Sequence, residues 1–195
     1  TVALSGDGGD ELFAGYERYL IEQKSRERSR RIPLPVQRMM GALGGMMREG
    51  MKGRNFLRHI ALDGVDRYLD SASMFRADQK RSLFKPEIAD RVIQDDPLRD
   101  LALDLEKKGA HWLSAIQYMD IKQYLPLDIL TKVDRMSMAH SIEARVPLLD
   151  HKLVEFAATI PPAYKLRDGN TKHILKKALR GVLPDSIIDR RKQGF

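Results

Sequence analysis

The chain of 195 residues has no cysteine, which excludes a disulfide framework, a thiolate zinc site and a cysteine nucleophile, and fits a cytoplasmic protein. No stretch reaches the ~18 to 20 apolar residues that a bilayer span requires, so no membrane role is expected. No internal repeat or low-complexity tract is present. What remains is 43% hydrophobic and 31% charged, the balance of a soluble globular protein with a substantial core.

The net charge of +7 raises the question of nucleic acid. Its densest basic stretches, Lys24 to Arg31 and Arg190 to Lys192, carry no interleaved stacking aromatics, and no zinc-finger or RNP-type motif accompanies them. Both points argue against nucleic-acid binding. A solvated helix end accounts for the first run. A docking face for an acidic partner or anionic substrate is the alternative, and a basic helical interaction module without catalysis is its extreme form.

The most informative segment is the first. Val2, Ala3 and Leu4 form a continuous apolar run, as expected of a strand buried on both faces of a parallel sheet. Gly6, Gly8 and Gly9 then permit a tight turn, and Leu12, Phe13, Tyr16 and Tyr19 set a helical period beyond it. Backbone N–H groups in such a turn suit an anionic phosphate above the strand end. Asp7 and Asp10 would repel that phosphate unless a divalent cation lay between, and Mg²⁺ prefers this mixture of carboxylate, phosphate and water. An Asx-turn and helix N-cap is the competing assignment for the two aspartates. Because the chain opens inside a strand that has no evident partners, we expect a segment of a longer protein whose neighbouring strands lie upstream.

Further along, the first helix should fade near Arg31, before Pro33 and Pro35. Val36 to Met51 mixes methionines with Gly41, Gly44 and Gly45 and reads as a helix packed closely on a neighbour, or as irregular chain. Short helices are expected from Phe56 to Leu83, with a break at Asp70 to Ser73, and from Pro86, with Asp95-Asp96-Pro97 opening the next. A helix through Trp112, Ile116 and Met119 should end before Pro126. Leu127, Leu130, Val133, Met136 and Met138 predict a buried helix interrupted by Lys132, Asp134 and Arg135, whose charges would then need partners or a ligand. Glu143 and Arg145 point the same way from an extended segment, with Arg135 or Asp134 as the expected partners. Asp150 is the expected N-cap of the helix of Leu153 and Phe156, and Lys172 to Leu183 a basic helix closed by Gly181 and Pro184. The expected structure is mainly α-helical with one or two short strands at the N-terminal end.

Three separated blocks occur in one order: Ser5-Gly-Asp-Gly-Gly-Asp-Glu-Leu-Phe13 with Gly15-Tyr16; Leu130-Thr-Lys-Val-Asp-Arg135 through Ser141-Ile-Glu-Ala-Arg-Val-Pro-Leu-Leu-Asp150; and Arg191-Lys-Gln-Gly-Phe195. Together they resemble the synthetase domain of glutamine-hydrolysing asparagine synthetases. The resemblance implies an α/β parent of doubly wound, adenine nucleotide alpha hydrolase-like type, with residues 1–195 as the C-terminal part of one ATP-pyrophosphatase domain. It implies ATP and Mg²⁺ as cofactors, activation of the aspartate side chain as an acyl-adenylate with release of pyrophosphate, and attack by ammonia derived from glutamine. By the same resemblance Ser5, Gly6 and Gly8 bind nucleotide, and Asp7 serves adenylate formation. Asp10 takes Mg²⁺ and pyrophosphate, and Lys192, with Lys172 as a second candidate, stabilises pyrophosphate. Glu11, Lys132, Asp134, Arg135, Glu143 and Arg145 are structural or substrate-proximal. The glutaminase domain, with its terminal cysteine, and the Ser-Gly-Gly-x-Asp-Ser phosphate loop are absent, so the segment alone should not make asparagine. The glutaminase domain of the parent is an implied partner and a homodimer a further expectation. Related amidotransferases acting on sugars, lipids or peptides share these blocks and supply the alternative acceptor.

Overall fold

A computed structural model describes residues 1–190 apart from 63, 73, 74, 76, 95 and 96. Strand β1 (Val2–Leu4) leads through the glycine turn into a short helix α1 (Gly9–Phe13), followed by α2 (Glu17–Arg30) and α3 (Leu34–Met46). Six helices come next: α4 (Arg54–Ile60), α5 (Gly64–Ala72), α6 (Ala77–Leu83), α7 (Pro86–Gln94), α8 (Pro97–Lys107) and α9 (Trp112–Met119). A π-helix (Asp120–Leu130) runs into α10 (Thr131–Met138), then β2 (Glu143–Arg145), a 3₁₀ turn (Pro147–Leu149), α11 (His151–Thr159), α12 (Pro162–Lys165), α13 (His173–Leu179) and α14 (Asp185–Ile188). The structure is mostly helical, as the sequence predicts. Its two strands pair in parallel, Val2 with Glu143, Ala3 with Ala144 and Leu4 with Arg145, so the second strand comes from late in the chain and not from its N-terminal end.

The chain divides into two compact units, residues 1–20 with 120–195, and residues 21–119. In the first, Leu12, Phe13 and Ala157 are buried and Ile121, Leu149, Val154, Ile160, Ile174 and Leu175 pack against them. Asp150 caps α11 as expected, accepting from the backbone N–H groups of Lys152 and Leu153. Burying α1 against α11 and α13 fixes the glycine turn at the end of β1, so this small core positions the site.

Several expectations fail in this unit for identifiable reasons. Strand β1 is not buried on both faces: Val2 is 51% and Leu4 76% exposed, because β1 has β2 on one side and no layer of described residues covers its faces. The first helix is not continuous, since Ala14 takes a left-handed conformation (φ 57°) and separates α1 from α2. Pro126 does not end a helix. It lies within the π-helix, whose wider turn tolerates the missing N–H, and its carbonyl accepts from Thr131 Oγ1 at 2.8 Å. The helix of Leu127, Met136 and Met138 is exposed rather than buried, Leu127 at 70%. Lys132, Asp134 and Arg135 are therefore solvated charges and carry no burial penalty. Glu143 and Arg145 pair with each other at 2.9 Å and not with Arg135 or Asp134. The closing basic helix is shorter than expected, ending at Leu179 before Gly181.

In the second unit α3 packs against α4, and a Cβ on Gly44 would fall 2.9 Å from the Arg58 backbone nitrogen, which explains a glycine inside a helix. α5 ends at Ala72, within the Asp70 to Ser73 segment where a break is expected; Ser73 itself, like Asp95 and Asp96, is outside the described residues. Ile60, Ala89, Ala102, Leu113, Ile116 and Met119 are buried here. So is a charged network. Arg67, 2% exposed, meets Glu22 at 2.8 Å and donates to Ser25 and Ser29, while Arg26 meets Glu22 at 2.6 Å. His59 bridges Asp70 at 3.0 Å and Glu22 at 3.1 Å.

The network sets a pH window. Burial opposes ionisation of Glu22, yet the His59 hydrogen bond and the charges of Arg67 and Arg26 hold its carboxyl below the usual range. Hydrogen bonds to Asp70 and Glu22 raise His59 against the opposing effect of burial. The Glu22 contribution is present above its unfolded value, ~4.5, and is lost as pH falls through the lower folded value. The His59 contribution is complete below ~6.5 and is lost as pH rises through the higher folded value. Urea unfolding should therefore give greatest stability between about pH 4.5 and 6.5 from these two groups; His59→Gln should flatten the alkaline limb and, because the His59 hydrogen bond also holds Glu22 low, reduce the acid limb as well.

Candidate functional site

The turn after β1 is held from both sides. Ser5 extends the ladder by donating its N–H to the Arg145 carbonyl at 2.8 Å, and its hydroxyl donates to Asp7. Gly8, at φ 82°, precedes α1 and accepts from the Leu12 N–H at 2.9 Å. A side chain there would be strained and would strike Leu149. Asp10 and Glu11 consequently fall in the first turn of α1.

An open cleft of about 950 Å³ lies over this turn, lined by Ser5, Gly6, Asp7, Gly8, Asp10 and Glu11 on one side and by the π-helix and α10 on the other. That volume is in the range of small-molecule sites, ~300 to 1,000 Å³. The opposite wall contributes Tyr124, Asp128, Ile129, Lys132, Val133 and Met136, with Tyr16 completing the lining. Lys132 pairs with Asp128 at 2.6 Å, one helical turn away, and both face solvent enough for the pair to be weak.

Two further contacts give the cleft its electrostatics. Asp10 Oδ1 lies 2.6 Å from Lys172 Nζ, at the start of α13. Gly15 makes this possible: a Cβ there would occupy the place of the Asp10 carboxylate and the Lys172 side chain. Glu11, 1% exposed, accepts from the Tyr16 hydroxyl. Burial pushes its carboxyl above the usual range, outweighing the hydrogen bond from Tyr16. Burial and the Glu11 hydrogen bond push the Tyr16 phenol up as well, so it stays a neutral donor.

Behind Tyr16 the wall is braced by charge and aromatic stacking. The Arg18 guanidinium lies 4.8 Å from the Tyr16 ring centre, 5.6 Å from Tyr19 and 5.0 Å from Tyr124. Its Nη2 meets buried Asp120 at 2.7 Å, and the Tyr19 hydroxyl donates to the same carboxylate at 2.5 Å. Such stacking adds about 0.5 to 2 kcal/mol per contact and fixes the rings that line the cleft.

Of the residues singled out by sequence, Ser5, Gly6, Asp7, Gly8, Asp10, Glu11 and Lys132 converge on the cleft, and Lys172 reaches it through Asp10. Asp134, Arg135, Glu143 and Arg145 do not line it. Lys192 lies outside the described residues. Tyr124 and Asp128 were missed because π-helical geometry through Pro126 has no simple periodic signature. Among the described residues no group of three or more histidine, aspartate or glutamate side chains could hold a metal ion. The cleft instead offers single hard carboxylates at Asp7 and Asp10, a donor set that fits Mg²⁺ when phosphate oxygens and water complete the shell.

The asparagine synthase family matches residues 1–195. The chain belongs to this family. Glutamine-hydrolysing asparagine synthetase 1 of Bacillus subtilis is 36% identical over all of the chain, which covers 30% of that relative. A putative glutamine-hydrolysing asparagine synthetase of Mycobacterium bovis is 34% identical, again over the full chain and 29% of its own length. Amidase chyE of Penicillium rubens is 24% identical over the full chain and 32% of its length. The chain thus spans about 30% of the length of the curated relatives it matches. No solved structure matches it. No helix among the described residues is long and apolar enough to cross a membrane.

Adding one carbon at position 15 tests the packing around Asp10. Gly15→Ala should cost about 1 to 3 kcal/mol in urea unfolding, because the Asp10 and Lys172 side chains must separate to admit the methyl group.

Proposed function

We propose that residues 1–195 form the C-terminal part of a single ATP-pyrophosphatase domain in an ATP-dependent amide ligase that makes asparagine. In this reading a carboxylate oxygen of the aspartate side chain attacks the α-phosphorus of ATP, the α–β bridging bond breaks, and pyrophosphate leaves with the electron pair. Ammonia derived from glutamine then attacks the acyl carbon of β-aspartyl-AMP, loses a proton, and AMP departs. The observation that carries the reading is the meeting of the Ser5 to Asp10 turn, the Lys132 helix and the Asp10–Lys172 pair around one small-molecule cleft.

Each residue has a definite task here. Ser5, Gly6 and Gly8 let the nucleotide approach the backbone, with Ser5 orienting Asp7 through its hydroxyl. Asp7 faces the reacting centre. Asp10, with Asp7 beside it, would hold Mg²⁺, which when bound supplies charge neutralisation for the leaving pyrophosphate. Lys172 and Lys192 add positive charge for the same leaving group, and Lys132 provides a cation on the opposite wall. Burial raises the Glu11 carboxyl above the usual range, and the Tyr16 hydroxyl donates to it in the lining of the cleft. The glutaminase domain and the remaining phosphate contacts belong to the longer protein, as the coverage of its relatives suggests. A second reading keeps the adenylation and changes the carboxylate acceptor, favoured by the likeness to a relative named an amidase.

ATP–pyrophosphate exchange in the full-length protein distinguishes them. Aspartate should support exchange, and Asp10→Asn should reduce it by a factor of about 100 or more. Undiminished exchange in that variant would remove Asp10 from the reaction, and exchange with other carboxylates but not aspartate would favour the second reading.

A further inference from the structure

We propose that Lys172 is a positioning residue that occupies Asp10 in the absence of nucleotide, so that Asp10 takes up a divalent cation only together with a polyphosphate. The proposal rests on the reading of Asp10 as a metal ligand and concerns how that site is regulated.

Four features hold the pair in place. Lys172 Nζ is 2.6 Å from Asp10 Oδ1, with the side chains 31% and 22% exposed, partly withdrawn from water yet within reach of a ligand. Lys172 has a left-handed backbone, φ 53° and ψ 31°, a conformation that residues with a side chain rarely adopt. Gly15 leaves empty the volume that the Asp10 carboxylate and the Lys172 chain fill. The backbone of α13 is itself anchored, because Ile174 and Leu175 pack on the Leu12, Phe13 and Ala157 core that carries α1. A flexible surface lysine meeting an aspartate by chance would require neither the strained backbone nor the missing Cβ.

The electrostatic consequence is direct. A carboxylate bound to an ammonium presents little net charge to a divalent cation, so a bare ion gains little by approaching Asp10. Asp10 lines the cleft, and Lys172, which does not, meets its carboxylate within reach of a ligand bound there. A polyphosphate changes the balance twice: its oxygens supply most of the ion's shell, and its negative charge gives the lysine an alternative partner. Metal and polyphosphate would then bind with positive coupling, and an empty site would be spared a tightly held ion.

The test is Mn²⁺ binding to the full-length protein, read by the loss of the free-ion electron paramagnetic resonance signal with and without α,β-methylene ATP, each titration referred to one with the same analogue and no protein, so that chelation by the analogue alone is subtracted. In wild type, Mn²⁺ should bind weakly alone and at least about tenfold more tightly with the analogue, a coupling of the usual allosteric size. Lys172→Met and Lys172→Gln should tighten binding of Mn²⁺ alone about tenfold and shrink the coupling, while Lys172→Arg should restore it. Asp10→Asn should abolish the analogue-dependent tight site, and combined with Lys172→Met the tightened site for Mn²⁺ alone, separating both from ions held by Asp7 or Asp128. Equal or weaker binding of Mn²⁺ alone in folded Lys172→Met and Lys172→Gln, with Asp10→Asn still abolishing the site, would overturn the proposal and leave the assignment of Asp10 standing. Tight analogue-dependent binding that survives Asp10→Asn would overturn the assignment itself.

Discussion

The cleft depends on a parallel ladder of three residues. Val2 to Leu4 and Glu143 to Arg145 lie far apart in the chain, and their pairing, extended by the Ser5 N–H to Arg145, sets the glycine turn opposite α10. A parallel pair needs a crossover between its strands. Here the crossover contains the whole helical unit of residues 21–119, so closing the ladder carries a large loop-closure cost for few hydrogen bonds. Those bonds cannot support it alone. The apolar contacts of Leu12 and Phe13 with Ala157, Ile174 and Leu175 share the burden, which places the core of the first unit directly under the site.

How much of this could be read from the sequence follows from which forces act locally. The strand, turn and helix at the start were legible because glycine spacing and apolar run are local signals, and Asp150 was legible as a cap for the same reason. The resemblance of separated blocks placed Lys132 only among structural or substrate-proximal residues, and its convergence with Ser5 to Glu11 is visible only in the structure, since no local pattern reports contact across so much chain. Burial was read less well. The apolar pattern of Leu127 to Met138 implied a buried helix, but periodicity reports which face is apolar and not whether anything covers it. Pro126 misled for a different reason: its penalty applies to α geometry, and the π-helix avoids it by widening the turn. The Arg67, Glu22 and His59 network was invisible because its members are spread over three helices with no common spacing.

Four carboxylates line a cleft proposed to receive a polyanion, and their partners resolve the apparent conflict. Asp7 accepts from Ser5, Asp10 meets Lys172, Glu11 accepts from Tyr16, and Asp128 meets Lys132. The pairs differ in strength according to solvent access. Lys132 and Asp128 are 70% and 39% exposed, so water and salt screen their attraction and the lysine is cheaply released to another anion. Asp10 and Lys172 are more enclosed, and their attraction is correspondingly harder to replace. Glu11 is the most buried of the four, and burial raises its carboxyl above the usual range while the Tyr16 hydroxyl donates to it. The gradient runs from a loosely held cation on the open wall to compensated carboxylates at the turn. The most loosely held cation of the cleft is thus the exposed Lys132, on the wall opposite the more enclosed carboxylates of the turn.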